Sequence, residues 1–145
     1  RALSSQQLGE PLKVYCSLVS SQMLGFLAAA YGAENKETLT GFKWIANEAM
    51  AWTAATGGRF VLGYEEALGY SVGELVADKD GVSAALLFAE LAAWNRARGR
   101  SIAEHLDELY RRVGLFVTEK VQTLPGVKDT FTLITFNAFA GGARG

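Results

Sequence analysis

The sequence has a single cysteine, Cys16, and a single histidine, His105. No disulfide can form within the chain, and no Cys–His or Ser–His–Asp arrangement can be assembled around that lone imidazole. Without a second histidine a metal site is not expected, and His105 reads as a surface residue off the apolar stripe of its helix. Cys16 lies in the apolar run 14–19 and reads as a buried, inert thiol, which neither requires nor excludes a secreted setting. Excess charge is missing too. Lys and Arg number 14 against 15 Asp and Glu, a formal net charge of −1, so nothing draws the chain globally to DNA or RNA. No stretch approaches the roughly 20 apolar residues needed to span a bilayer. The amino end, Arg1-Ala2-Leu3-Ser4-Ser5, lacks the apolar core of a signal peptide. The expectation is a soluble, cytoplasmic piece with neither nucleic acid nor membrane as a partner.

What is present suits one domain: 145 residues, half of them hydrophobic, can bury one real core but not two large ones. After a polar start ending at Gly9 and Pro11, residues 12–19 read as a buried strand. Ser20 and Ser21 can cap a helix with apolar positions Met23, Leu24, Leu27, Ala30 and Tyr31, closed by Gly32. Residues 34–39 form a more polar strand suited to a sheet edge. Thr40 is the expected cap of a helix that buries Phe42, Ile45, Ala46 and Ala49 and stops at Gly57-Gly58. Residues 59–64 read as a strand running into a hairpin, with 70–76 returning antiparallel. Asp80 caps an apolar helix from Val82 to Trp94 that has no polar face and is therefore expected to be buried. Ser101-Ile102-Ala103-Glu104 is a capping box, followed by an amphipathic helix with Ile102, Leu106, Leu109 and Val113 on one stripe. The alternation predicts an α/β fold, a three-layer α/β/α sandwich around a small, mixed, mostly parallel four-stranded sheet. Residues 1–126 would form this domain and 127–145 a tail or truncated linker.

Two stretches stand apart. Thr40-Gly41-Phe42-Lys43-Trp44-Ile45 puts a lysine in the first turn of a helix, where free N–H groups already carry partial positive charge; an anion in front of it would relieve the conflict. Gly63-Tyr64-Glu65-Glu66-Ala67-Leu68-Gly69-Tyr70 puts two carboxylates in a turn directly after a strand. An anion-seeking helix end and a carboxylate-bearing loop suit a phosphorylated, hydroxyl-rich ligand. A plain reading is available for each: a solvent-facing lysine, solvated turn glutamates, and tight turns permitted by Gly41, Gly63 and Gly69. Adjacent carboxylates on a turn usually point apart, so hydrogen bonding to sugar hydroxyls fits them better than an acid–base dyad.

These two stretches, together with Val19-Ser20-Ser21 and Asp78-Lys79-Asp80-Gly81, resemble the α-D-phosphohexomutases, the phosphoglucomutase and phosphomannomutase family. The likeness covers residues 14–126 and is similar to the third of four domains, the one carrying the sugar-recognition loop. The resemblance implies an enzyme that interconverts hexose 1-phosphates and 6-phosphates through a phosphoserine and a bisphosphorylated intermediate. It also implies Mg²⁺ at a phosphoserine outside this segment and a glucose 1,6-bisphosphate type of activator. By the same resemblance Glu65 matches a glutamate that binds sugar hydroxyls and Lys43 a lysine that reaches toward the phosphosugar, with Gly41, Glu66, Ala67 and Tyr70 bordering the site. The commoner loop has serine where this chain has Ala67, which leaves the sugar open. The phosphorylated serine, the aspartate-rich metal loop and the phosphate-gripping loop find no match here. This segment is therefore expected to need the remaining domains of a parent enzyme for turnover. The alternatives are a phosphopentomutase-like relative and a non-catalytic phosphosugar-binding module.

Overall fold

Strand β1 (Leu12–Ser17) is buried along almost its whole length, as befits an apolar run in the interior of a sheet with both faces covered. The computed structural model describes residues 9–117 and 136–138. Helix α1 (Met23–Ala30), the polar strand β2 (Glu34–Thr38) and helix α2 (Phe42–Thr56) follow, then strands β3 (Arg59–Glu65) and β4 (Gly69–Val72). Helices α3 (Gly81–Arg96) and α4 (Ile102–Val113) come next, and β5 (Leu115–Val117) pairs antiparallel with β6 (Phe136–Ala138). The main sheet has the order β2-β1-β3-β4. Its first three strands are parallel and β4 runs antiparallel to β3, so the mixed, mostly parallel four-stranded sheet is as expected, with β2 at an edge.

The chain moves from β1 outward to β2, then back across β1 to β3. Right-handed crossovers in opposite directions place α1 and α2 on opposite faces of the sheet. Tyr15, Phe42, Ile45, Ala49 and Phe60 form the buried cluster under α2. A register shift between Lys13 and Val14, where β1 meets β3, inserts Val61 as an extra residue. After it, Gly63 faces Ile45 on the α2 side, sharing that side with Phe60. Helix α4 packs on α1 and α3 rather than on the main sheet. Arg112 donates to the carbonyl of Ala30 at 3.0 Å and lies over the Tyr31 ring, tying the ends of α4 and α1 together.

Several expectations change. The capping box is present, with Ser101 and Glu104 exchanging bonds, but Thr40 does not cap α2: the capping residue is Gly41, which has no side chain to offer. Strand β4 ends at Val72 because Gly73 turns the chain at φ +59°. Helix α3, expected to be buried, leaves Val82 at 83% and Leu86 at 71% exposure, and Asn95 is its one buried residue. Its main neighbours are β4 and α4. An apolar circumference states what a helix requires, and the described residues supply partners along one side only. His105 is half-buried: its Nδ1 accepts from the amide of Asn95 at 3.0 Å and its ring lies 5.6 Å from that of Trp94. Within the expected tail 127–145, Phe136–Ala138 is a strand, and the remaining residues of that stretch lie outside the described ones. Among the described residues no helix is long and apolar enough to cross a membrane.

Candidate functional site

In an open sheet of this order, the crevice beyond the carboxyl ends of β1 and β3 is where the connections diverge to opposite faces. Three connections converge there: 18–22 leading to α1, 39–41 leading to α2, and the three-residue hairpin loop Glu66-Ala67-Leu68.

Glu65 ends β3 and is 3% exposed. Its Oε1 accepts the Gly41 backbone N–H at 2.6 Å. Helix α2 has no acidic residue in its own first turn, so this carboxylate, 24 residues distant in sequence, supplies the negative charge its amino end lacks. Its second oxygen has no partner among the described residues, yet it is not sealed from solvent. An ionised carboxylate accepts at both oxygens, so capacity for a hydroxyl donor remains. Lys43 sits in the first turn of α2, exposed, its ammonium 5.4 Å from the centroid of the Trp44 ring and in no ion pair among the described residues.

Glu66 turns the other way. Its Oε1 accepts the backbone N–H of Ser21 at 3.0 Å, and its own N–H donates to the Ser20 hydroxyl at 3.2 Å. Tyr64, two residues earlier on the same side, donates its hydroxyl to the Ser21 carbonyl. Burial first, then the charge of Glu66, holds the Tyr64 phenol well above its ordinary range, so it remains a donor. Ser21 accepts in turn from Met23 N–H at the start of α1. Cys16 is fully buried; burial and Glu37 push its thiol up, which keeps it protonated and inert.

Ala67 and Leu68 are exposed at the tip, and Leu68 occupies the left-handed region at φ +62°. Tyr70 is 45% exposed and its carbonyl accepts from Asp80 N–H at 2.6 Å, bringing the start of α3 to the hairpin. Gly41 at φ +118° is a conformational glycine, as expected. Gly63 and Gly69 are not turn glycines. A Cβ at Gly69 would stand 2.2 Å from the Phe42 ring, and one at Gly63 would stand 2.6 Å from Ile45; both exist so that α2 can press on the sheet. The structure therefore gathers Gly41, Lys43, Glu65 and the tip residues at one end of the sheet, with Glu66 directed to the α1 side.

Ser20 and Ser21 serve the hairpin as well as α1, a role hidden because their partners lie some 45 residues away. Lys79, part of the Asp78-Lys79-Asp80-Gly81 motif, is a second cation beside the loop: its ammonium stands 5.4 Å from the Phe42 ring centroid. An apolar cavity of about 340 Å³ lies elsewhere, between α2 and the β4–α3 connection, lined by Phe42, Ala49, Thr53, Phe60, Ser71 and Val76 among others. None of Gly41, Lys43, Glu65, Glu66, Ala67 and Tyr70 lines it. Among the described residues no group of three or more His, Cys, Asp or Glu could hold a metal ion.

A mixed α/β/α layer with a carboxylate hairpin set against a helix amino end is the class of domain that fold and site define. The description of phosphoglucomutase/phosphomannomutase, alpha/beta/alpha domain III, matches residues 1–113. The chain belongs to that family. It is 38% identical over 118 residues to a probable phosphoribomutase of Schizosaccharomyces pombe, covering 79% of this chain and 20% of that protein. It is 37% identical over 120 residues to a probable phosphomannomutase of Haemophilus influenzae, covering 82% and 23%. To a phosphopentomutase of Mus musculus it is 40% identical over 102 residues, covering 70% and 16%. A crystal structure described as a phosphomannomutase from Thermus thermophilus superposes with a TM-score of 0.64 at 25% identity, covering 85% of this chain and 26% of that one. The chain thus spans about a fifth of the length of the relatives it matches.

Proposed function

We propose that this domain is the sugar-recognition part of a phosphohexomutase, a cytoplasmic enzyme that interconverts hexose 1-phosphate and hexose 6-phosphate through a phosphoserine and a bisphosphate intermediate. The observation that carries the proposal is the Glu65–Gly41 bond, which sets a carboxylate with one uncommitted oxygen beside the cationic first turn of α2. Glu65 would accept from ring hydroxyls while Lys43 offsets phosphate charge, with Gly41, Ala67 and Tyr70 shaping the rim. Orienting the ring without gripping either end chemically lets each phosphate position in turn meet one phosphoserine. The phosphoserine, its Mg²⁺ and the phosphate grip would come from the other domains of the parent enzyme, and a bisphosphate of the glucose 1,6-bisphosphate type would prime it. No step in this chain is assigned to the metal.

A pentose phosphate is the second reading. Ala67 removes the hydroxyl that the commoner loop offers to the sugar, and the relatives just named include a phosphopentomutase and a phosphoribomutase. Turnover of glucose, mannose and ribose phosphates by the intact enzyme, measured side by side for wild type, Lys43→Ala and Glu65→Ala, tests both. Each substitution should lower kcat/KM about 10²-fold, the loss expected from removing a charged hydrogen bond to substrate. Unchanged kinetics in both variants would remove the site assignment, and the preferred sugar separates hexose from pentose.

A further inference from the structure

Glu66 sits next to Glu65 yet serves the opposite face of the sheet, and both its carboxylate and its backbone amide are engaged by the β1–α1 connection. Its carboxylate takes the Ser21 N–H at 3.0 Å and its amide gives to the Ser20 hydroxyl at 3.2 Å, a two-way clasp between residues 45 and 46 apart. The clasp has a rigid foot: the hydroxyls of Ser20 and Ser17 are 2.7 Å apart, both residues are at most 2% exposed, and Ser17 is the last residue of β1. Tyr64 adds a third bond from the same side of β3, to the Ser21 carbonyl. Beyond the clasp the loop passes through the left-handed conformation at Leu68, which an exposed leucine does not adopt for its own sake. Something must hold the tip, and on the Glu65 side the described contact is the single bond to Gly41.

We infer that Glu66 is a positioning residue: with Ser20 and Ser21 it fixes the hairpin tip from the α1 side, so that the Glu65 carboxylate stays aligned with the amino end of α2. The inference rests on the sugar-loop reading above and replaces the direct sugar contact that resemblance suggests for Glu66. The charge of Glu66 also sits at the amino end of α1, an eight-residue helix without an acidic residue in its own first turn.

The test compares Glu66→Gln, Glu66→Ala and Ser20→Ala in the intact enzyme, by kinetics with glucose 1-phosphate and by hydrogen exchange of the peptide containing Ser21. A glutamine oxygen still accepts the Ser21 N–H, so Glu66→Gln should keep kcat/KM within about threefold and Ser21 protected. Glu66→Ala should lower kcat/KM about tenfold and speed exchange at Ser21, and adding Ser20→Ala should cost little more, since the two act as one unit. A Glu66→Gln variant as impaired as Glu66→Ala, with Ser21 still protected, would show the carboxylate acting on the sugar itself and overturn the inference. So would Glu66→Ala kinetics equal to wild type. Should Glu65→Ala leave turnover unchanged, the sugar-loop reading fails instead, and exchange at Ser21 still decides whether the clasp exists.

Discussion

The Glu65 carboxylate accepts the Gly41 N–H at 2.6 Å, joining the last residue of β3 to the residue that opens α2. That one bond settles a conflict written into the sequence, where Lys43 burdens a helix amino end that has no acidic residue of its own. It also brings the acidic hairpin and the cationic turn to the same end of the sheet, the arrangement on which the phosphosugar proposal depends.

Close packing of α2 against the hairpin makes Gly69 sensitive to the smallest side chain. An added methyl would lie 2.2 Å from the buried Phe42 ring, so Gly69→Ala should destabilise by about 1–3 kcal/mol, the usual cost of overpacking. Gly81 has open space around its Cβ position and begins α3, so Gly81→Ala should be neutral or raise stability by up to about 1 kcal/mol. Thermal or urea unfolding of the two variants checks the contrast.

Leu68 offers the opposite opportunity. It is 87% exposed, so it contributes little packing, and its φ of +62° is one that glycine adopts freely. Leu68→Gly should be neutral to stabilising by about 1 kcal/mol, the left-handed penalty being relieved while chain entropy is partly lost. A clear loss of stability in urea titration would show that the leucine has a partner there.

Tyr15 makes stability sensitive to alkali. Full burial, with smaller contributions from Glu48 and Glu34, pushes its phenol up to about 12 from the ordinary 10.0. A raised pKa stabilises fully below the unfolded value and the contribution is lost as pH climbs through the folded one, so stability should fall between pH 10 and about 12. In Tyr15→Phe that part of the alkaline loss should disappear, measured by denaturant unfolding across the range.

Acid acts at the helix caps. Hydrogen bonds from Ser101 hold Glu104 below the ordinary 4.5, and bonds from Ser83 hold Asp80 below 3.8. A depressed pKa stabilises above the unfolded value and is lost as pH falls through the folded one, so α3 and α4 should loosen at their amino ends below about pH 4. Ser101→Ala should cost about 1 kcal/mol at neutral pH and flatten the acid response of α4. Amide exchange at His105 and Glu104, followed against pH, reads both effects.

Much of this was legible in local pattern. The run around Tyr15 and Cys16 declared the central strand, and Ser101 with Glu104 declared the start of α4, because both signals lie within a few residues. What escaped was long-range. A cap supplied by Glu65 leaves no trace near Thr40, and the pairing of Glu66 with Ser20 and Ser21 crosses the sheet. Gly63 and Gly69 looked like turn residues because their actual reason, the approach of Ile45 and Phe42, exists only once α2 is docked. Val82 and Leu86 show the limit of periodicity: it tells that a surface is apolar and is silent about what covers it. Asn95 drew His105 inward in the same way, by a contact between two helices that neither one signals alone.

The most direct measurement is a crystal structure of the intact enzyme with a hexose phosphate bound. The account predicts a sugar hydroxyl about 3 Å from the Glu65 carboxylate, with the Lys43 ammonium turned toward the phosphosugar. A sugar seated in the enzyme with both side chains beyond reach of it would contradict the account.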